Sequence, residues 1–515
     1  MERQAGILLP LFSVPGNQGI GDLGQKTLMM IDELSKAGIK IWSMLPLQPT
    51  QGDNSPYSMA SAYAGDPIYI NIDRLAEMDL LTQSSVVNCN KFKSAVDYET
   101  VRQFKEPYFQ RAFKAFRKNY SRWKADFEKF KQEAWWLNSW TVYELFRQLH
   151  DGKGWTHWDS EYQTWPELQG VVLRNYVEQV FYIQFLQFIF YRQLDEVSDY
   201  ARSKGLLLMQ DVPFFVNLES AEVWSKKDEY MVDRNGTVKQ YAGCPPDPYH
   251  EKGQVWEKPM YNFEALKASD YKSFRNRFVW IARNFDAIRI IHFKGFDFLW
   301  KVPENRNPQY GQWAQGPGRP LMEFIKKDLP HVLFTAEDQG EMRPTLKELE
   351  SEFDIPVMDV LQYRMETKKL KRPAPQKAVI YTTFYDTPTL EQDYSNFINN
   401  RKIALRRFFK KRNYLHRPFH DLVVHYAIDS DSDIAMIPMQ DVIGLKEVGR
   451  INDPEHPEAN NWTWKLKDFR TFPAELAKVR EWLEAADRIV PNTSKEERAT
   501  PDNTNQTNDS SKDIE

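Results

Sequence analysis

"FDAIRIIHFKGFDFLW", residues 285–300, runs through apolar and β-branched side chains and turns polar at His292, Lys294 and Gly295. Such a run reads as a strand covered on both faces whose tip opens into a pocket. Seven other runs share its character: "GILLPLF" from Gly6, "IKIWSMLPL" from Ile39, "LLLMQDVPFFV" from Leu206, "HVLFTAED" from His331, "IPVMDVLQY" from Ile355, "KAVIYTTFYD" from Lys377 and "DIAMIPMQD" from Asp433. Helical patterns lie between them. Eight buried strands alternating with helices are what a (β/α)8 barrel requires, although a doubly wound open sheet gives a similar series. The expected fold is α/β, a (β/α)8 TIM barrel with inserted helical and loop subdomains.

The spacing of the runs is uneven. Residues from about 85 to 175 are helical, charged and aromatic, and predict an inserted helical subdomain of amphipathic helices. The apolar stretch "VEQVFYIQFLQFIFYRQL" from Val177 is interrupted by Gln184 and Gln187 and closed by Arg192 and Asp195. It reads as a buried helix rather than a membrane span. A second insertion, from about 225 to 275, is rich in Gly, Pro and Tyr. The barrel is expected to occupy residues 1–490, and the polar tail 491–515 is expected to be disordered.

Lys and Arg number 68 against 72 Asp and Glu, a net charge of -4. That balance offers no pull toward nucleic acid or an acidic membrane surface. Two cysteines, Cys89 and Cys244, make no disulfide framework and fit a reducing compartment. The N-terminus lacks the long apolar region of a signal peptide, so a cytoplasmic location is expected. Aromatic residues make up 14% of the chain, with 16 Trp, as core side chains or as platforms for flat apolar ligand faces.

In a barrel of this kind the chemistry sits at the carboxyl ends of the strands. There the sequence places Asp211, Arg289 with His292, Glu337 with Asp338, Asp386, and Gln440 with Asp441. Asp338 and Asp441 are expected to cap helices, whereas Glu337, in "TAEDQG", is expected in the site. Paired carboxylates on a neutral, aromatic-rich scaffold suggest glycoside chemistry, in which one acid protonates the leaving oxygen and the other attacks the anomeric carbon or activates water. Other chemistries fit less well. "HRPFHDLVVH" offers His416, His420 and His425, but Pro418 breaks a helical ligand face. "GNQGIG" does not match a dinucleotide fingerprint, and no phosphate-binding loop or serine elbow is present.

The chain resembles the amylomaltase, or 4-α-glucanotransferase, family (family 77 of the glycoside hydrolases). The resemblance rests on "GILLPLFSVPGNQGIGDLG", "WSMLPLQPTQGDNSPYSMASAYAGDP", "DVPFFVNLESAEVW", "GCPPDPYHEKGQVWEKPMY", "FDAIRIIHFKGFDFLWKVP", "TAEDQG", "DVLQY", "YTTFYDTPTL" and "IPMQDVIGL" followed by "GRIND" and "NNWTWKL". It implies a barrel that cuts an α-1,4 bond in a maltooligosaccharide and passes the piece to another glucan, with retention through a covalent glycosyl-enzyme. It implies no metal or organic cofactor. Position by position, Glu337 matches the general acid/base, and Asp386 the acid that grips and helps distort the reacting sugar. Arg289 matches the arginine beside the nucleophile and His292 the histidine after it. Tyr57, Asp211, Pro245, Asp247, Gln254 and Trp256 match residues lining the glucan groove.

The nucleophile position departs from that pattern. Where the family reads Arg-Ile-Asp-His-Phe-Arg-Gly-Phe, this chain reads Arg289-Ile290-Ile291-His292-Phe293-Lys294-Gly295-Phe296. Tyr385 stands in place of His, Lys294 of Arg, Glu257-Lys258 of Gly-Asn, and Gln210 of Gly. An isoleucine can neither attack carbon nor stabilise an oxocarbenium ion. Two readings therefore stand: a glucanotransferase of weakened activity, and an inactive α-glucan-binding relative acting as sensor, scaffold or partner. With side chains alternating along a strand, Arg289 and Ile291 share a face, and Arg289 needs another anion, Asp211 or Glu337 being candidates.

Overall fold

The computed structural model describes residues 2–85, 92, 94–164, 173–246, 251–338, 340, 342–366, 370, 372–415 and 418–489. The polar tail, Asp247, Cys89 and His416 lie outside the described residues. Strands are numbered in chain order. The eight apolar runs form β1 (Gln4–Leu8), β2 (Ile41–Ser43), β3 (Leu207–Pro213), β6 (Ala287–Ile291), β9 (Leu333–Ala336), β10 (Val357–Val360), β11 (Ala378–Tyr381) and β12 (Ile434–Pro438). The other four are β4 (Gln240–Cys244), β5 (Gln254–Pro259), β7 (Phe298–Pro303) and β8 (Gln312–Gln315).

The eight runs pair in parallel in the order β10-β11-β12-β1-β2-β3-β6-β9. Both sheet faces are covered, which is why these strands read as near-continuous apolar runs rather than as alternating ones. The sheet closes into a (β/α)8 barrel at the β9–β10 seam. There the Ala336 N–H donates to Pro356 O at 3.2 Å, and the Met358 N–H donates to an Asp338 carboxylate oxygen at 2.8 Å. Asp338 therefore does not cap a helix, as its position after a strand suggested. Its side chain replaces a missing ladder bond. Asp441 accepts from the Thr382 and Thr383 hydroxyls, each at 2.6 Å, and from the N–H of Leu390, the first residue of helix Leu390–Asn396.

The first insertion is helical, with helices Tyr98–Lys118, Tyr120–Glu133 and Leu137–Leu149. Asp97 caps the first by accepting from the Thr100 N–H, and Val101, Lys105, Tyr108, Phe109, Ala112, Phe113 and Phe116 form its buried stripe. Helix Val177–Ser203 follows. The glutamine that interrupts its apolar stretch has a definite task. Gln187 both accepts from the Gly65 N–H and donates to the Gly65 carbonyl, and Gln193 does the same for Asn71. No helix among the described residues is long and apolar enough to cross a membrane.

The second insertion is more ordered than its composition suggested. Its strands β4 and β5 join β7 and β8 in an antiparallel sheet of order β5-β4-β7-β8. β7 begins only a short 3-10 turn beyond β6, so the sheet is built directly onto a barrel-strand tip.

The helical insertion is pinned to the barrel by one buried cation. Lys105 is fully buried. Its ammonium donates to Asp22 at 3.2 Å and to the carbonyls of Ile68 and Ile70, each at 2.8 Å. Removing one partner of a buried pair strands the other charge. Lys105→Met should lower unfolding free energy by about 3–5 kcal/mol, measured by urea denaturation, with little loss of helical circular dichroism under native conditions.

Candidate active site

The strand tips gather most of the residues that the sequence singled out. Asp211 on β3 lies directly beside Arg289 on β6 in the parallel register. The Arg289 Nε donates to one Asp211 oxygen at 2.9 Å and its Nη2 to the other at 2.5 Å. The two side chains are 1% and 0% exposed. The anion that Arg289 needs is thus Asp211, not Glu337. Burial disfavours the charged guanidinium, but the Asp211 charge together with the surrounding Tyr381, Tyr385 and Tyr57 outweighs it and raises the arginine further above its usual range. Nη1 is buried and without a hydrogen-bond partner, and the guanidinium lies 4.4 Å from the Phe384 ring centre.

Tyr57 completes this cluster. Its hydroxyl donates to Asp211 at 2.6 Å, and its ring stacks on Tyr385 at 5.2 Å between centres with 25° between planes. Trp462 abuts both rings, at 5.8 Å from Tyr57 and 5.6 Å from Tyr385. Burial, followed by the Asp211 charge, drives the Tyr57 phenol well up, and burial does the same for Tyr385. Both remain neutral donors.

Ile291 is the last residue of β6, paired with Pro213 of β3. His292 follows in the left-handed backbone region at φ 57°, uncommon for any residue but glycine. This turn aims the His292 N–H at a Glu337 carboxylate oxygen, 3.0 Å away. The Glu337 backbone is held on both sides, its N–H donating to Ile290 O and its carbonyl accepting from the Phe293 N–H. The His292 ring makes an edge contact with Trp256 at 4.9 Å, and Phe215 lies 6.0 Å away. Burial, aided by Lys294 and Lys258, pushes the imidazole down to about 3, so it is neutral at physiological pH. Burial and Arg277 bring the Lys258 ammonium down to about 8.

Gln254, Trp256 and Lys258 alternate along β5 and so share one face of the antiparallel sheet. The Trp256 indole N–H donates to the Gln254 side-chain oxygen Oε1 at 3.2 Å. Pro245 directly follows β4. Across the pocket Asp386 accepts from the Asn452 amide at 2.6 Å. Burial and the charge of Glu337 push its carboxyl up to about 6, against the opposing pull of Asn452 and Arg289. Asp297, the nearest following acid in the chain, accepts from the Thr345 hydroxyl at 2.8 Å beyond the 3-10 turn.

Sequence reasoning did not single out Asn452, Trp462, Phe215 or Phe384. The first two lie in the quoted "GRIND" and "NNWTWKL" motifs, which marked the region but not these side chains. The other two are apolar residues beside site residues, with no signal of their own. The histidines of "HRPFHDLVVH" serve elsewhere. Pro418 caps helix Phe419–Asp429, and His420 binds Glu391 at 2.7 Å. His420, Asp421 and Glu475 lie close enough to share an ion, but Lys478 bonds both acids.

A parallel barrel whose strand tips carry carboxylates, a buried arginine and aromatic walls has the layout of a small-molecule site. A family model described as 4-alpha-glucanotransferase matches residues 9–471, and the chain belongs to that family. It is 33% identical over 503 residues to the 4-alpha-glucanotransferase of Synechocystis sp., covering 94% of this chain and 96% of the relative. It is 30% identical over 483 residues to that of Aquifex aeolicus, covering 92% and 98%. An amylomaltase from Streptococcus agalactiae, solved in complex with acarbose, superposes with a TM-score of 0.87 at 25% identity, covering 95% of this chain and all of that one.

The raised Asp386 carboxyl has a consequence for stability. Folding that favours its neutral form stabilises the protein below pH 3.8, and this contribution is lost as pH rises through about 6. Asp386→Asn keeps the neutral form. It should exceed the natural chain in unfolding free energy by up to about 3 kcal/mol at pH 7.5 and come close to it near pH 4, as read from paired urea melts at the two pH values.

Proposed function

We propose that this chain is a catalytically silent member of its family that binds α-1,4-glucans, such as maltooligosaccharides, at the strand tips of its barrel. The observation that carries this reading is at β6. Residue 291 is an isoleucine, and the neighbouring arginine is paired through two N–H groups with Asp211, which is itself out of contact with solvent. Neither Asp211, bonded to Arg289 and Tyr57, nor Asp297, bonded to Thr345, stands in for a nucleophile. Loss of a covalent nucleophile costs on the order of 10⁶ in rate where it has been dissected.

The binding apparatus has fared better. Glu337 occupies the acid/base position and is held by the His292 amide. Asp386 occupies the position that grips the reacting sugar. Gln254, Trp256 and His292 supply aromatic faces and polar groups of the kind that hold sugar rings. The acarbose bound in the Streptococcus agalactiae relative supports an oligosaccharide as ligand. The chain acts as one barrel with two insertions, in the cytoplasm, as a glucan sensor, scaffold or partner of an active enzyme.

The test uses the full chain with maltotriose and maltoheptaose. Calorimetry should register maltoheptaose binding. Chromatography after prolonged incubation with maltotriose should show neither longer glucans nor free glucose at more than on the order of 10⁻⁵ of the rate of an active relative. Steady redistribution of glucans, or a glucosyl adduct trapped on any side chain, would establish the competing reading of a working transferase.

A further inference from the structure

We propose that Tyr385 plugs the innermost sugar subsite by stacking on the face of Tyr57 that a sugar ring would cover, so that a glucan is held only from that point outward, against Gln254, Trp256 and His292. This inference rests on the reading of the pocket as an α-glucan site and specifies which part of it remains usable.

The geometry is that of an offset stack. The two phenol rings lie 5.2 Å apart and 25° from parallel, within the range that aromatic pairs favour. A sugar packs its apolar face on an aromatic ring in a similar arrangement, so a sugar and the Tyr385 phenol compete for one surface of Tyr57. Trp462 closes the edges of both rings. Tyr385 and Trp462 are each only 5% exposed. Trp462 is held in turn from the helical insertion, where the Tyr98 hydroxyl donates to its carbonyl at 2.7 Å.

The polar groups are equally committed. The Tyr57 hydroxyl is spent on Asp211, and both Asp211 oxygens are spent on Arg289. The Tyr385 hydroxyl lies 3.4 Å from the Arg289 Nη2. Asp386 is bonded to Asn452, whose own backbone N–H donates to the Tyr385 carbonyl. A sugar entering here would have to break protein–protein hydrogen bonds as well as unstack a ring. Histidine, the residue of the family pattern at position 385, has a smaller ring and lacks the phenol. The plug also makes sense of Ile291: with no reacting sugar seated, a carboxylate there would have nothing to attack.

The experiment compares acarbose, whose terminal unsaturated ring imitates a flattened reacting sugar, with maltotetraose of equal length. Calorimetry on the full chain should show the two binding within about threefold of each other. Tyr385→His and Tyr385→Ala should each gain at least about tenfold for acarbose over maltotetraose, and Tyr385→Phe, which keeps the ring, should gain nothing. Ile291→Asp combined with Tyr385→His should transfer glucosyl units at least about a hundredfold faster than Ile291→Asp alone. A tenfold preference for acarbose in the natural chain would overturn the plug. So would equal activity of the single and double variants. If the variants do not fold, a crystal of the natural chain soaked with acarbose decides: a sugar ring lying on Tyr57 defeats the proposal, and an intact Tyr57–Tyr385 stack under bound ligand upholds it. If the natural chain binds no maltotetraose, the glucan reading falls; the plug then stands if Tyr385→His gains acarbose binding and falls with it otherwise.

Discussion

The buried pair of Arg289 and Asp211 is the interaction around which the pocket is organised. Two opposite charges sit side by side in register on adjacent barrel strands, both out of solvent. Desolvating them is costly, and only good geometry with further hydrogen bonds repays it. Both conditions hold: the guanidinium meets the carboxylate through two N–H groups, Tyr57 adds a third bond, and aromatic rings cover the rest. Because Asp211 supplies the counter-charge, a hydrocarbon at the end of β6 leaves no unpaired charge in the core, although the Arg289 Nη1 has no hydrogen-bond partner.

What survives around the pair is positioning. The left-handed turn at His292 exists to send one amide toward Glu337. Strain of this kind costs of order 1–3 kcal/mol and persists only where the surroundings impose it. Here the imposition comes from the antiparallel sheet that starts immediately afterwards and from the Trp256 ring against the imidazole. A chain free of every functional demand would have little reason to keep it.

The barrel was legible because buried parallel strands leave an unmistakable residue pattern: each of the eight apolar runs became a barrel strand. The antiparallel flank was not. β4 and β5 are short, and β4 finds its second partner, β7, only after an intervening barrel strand. Local pattern carries no signal of such pairing. Asp338 was misread for a related reason, since a side chain that mends a seam between strands looks in sequence like any acid after a strand. At the site, period-two alternation rightly put Arg289 and residue 291 on one face, and Asp211 was named as a possible anion. The Tyr385 departure was visible, but its contact with Tyr57 joins residues far apart in the chain and depends on ring orientation. Trp462 and Asn452 reach the pocket from a segment beyond the last barrel strand and were invisible for the same reason.

The layout of that flank bears on how the protein is made. The hairpin β4–β5 ends at Pro259, whereas its neighbour β7 begins at Phe298, beyond β6. On a growing polypeptide the inner edge of β4 therefore emerges with its amide and carbonyl groups unpaired, an invitation to wrong partners. It can be covered only once β6 has been made, the chain has turned back through His292 and β7 has emerged. The wall of the pocket is thus assembled late, and the step that completes it is the same backbone turn that aims an amide at Glu337. Ribosomal pausing or chaperone contact within this interval would act on the pocket while leaving the first three barrel strands unaffected.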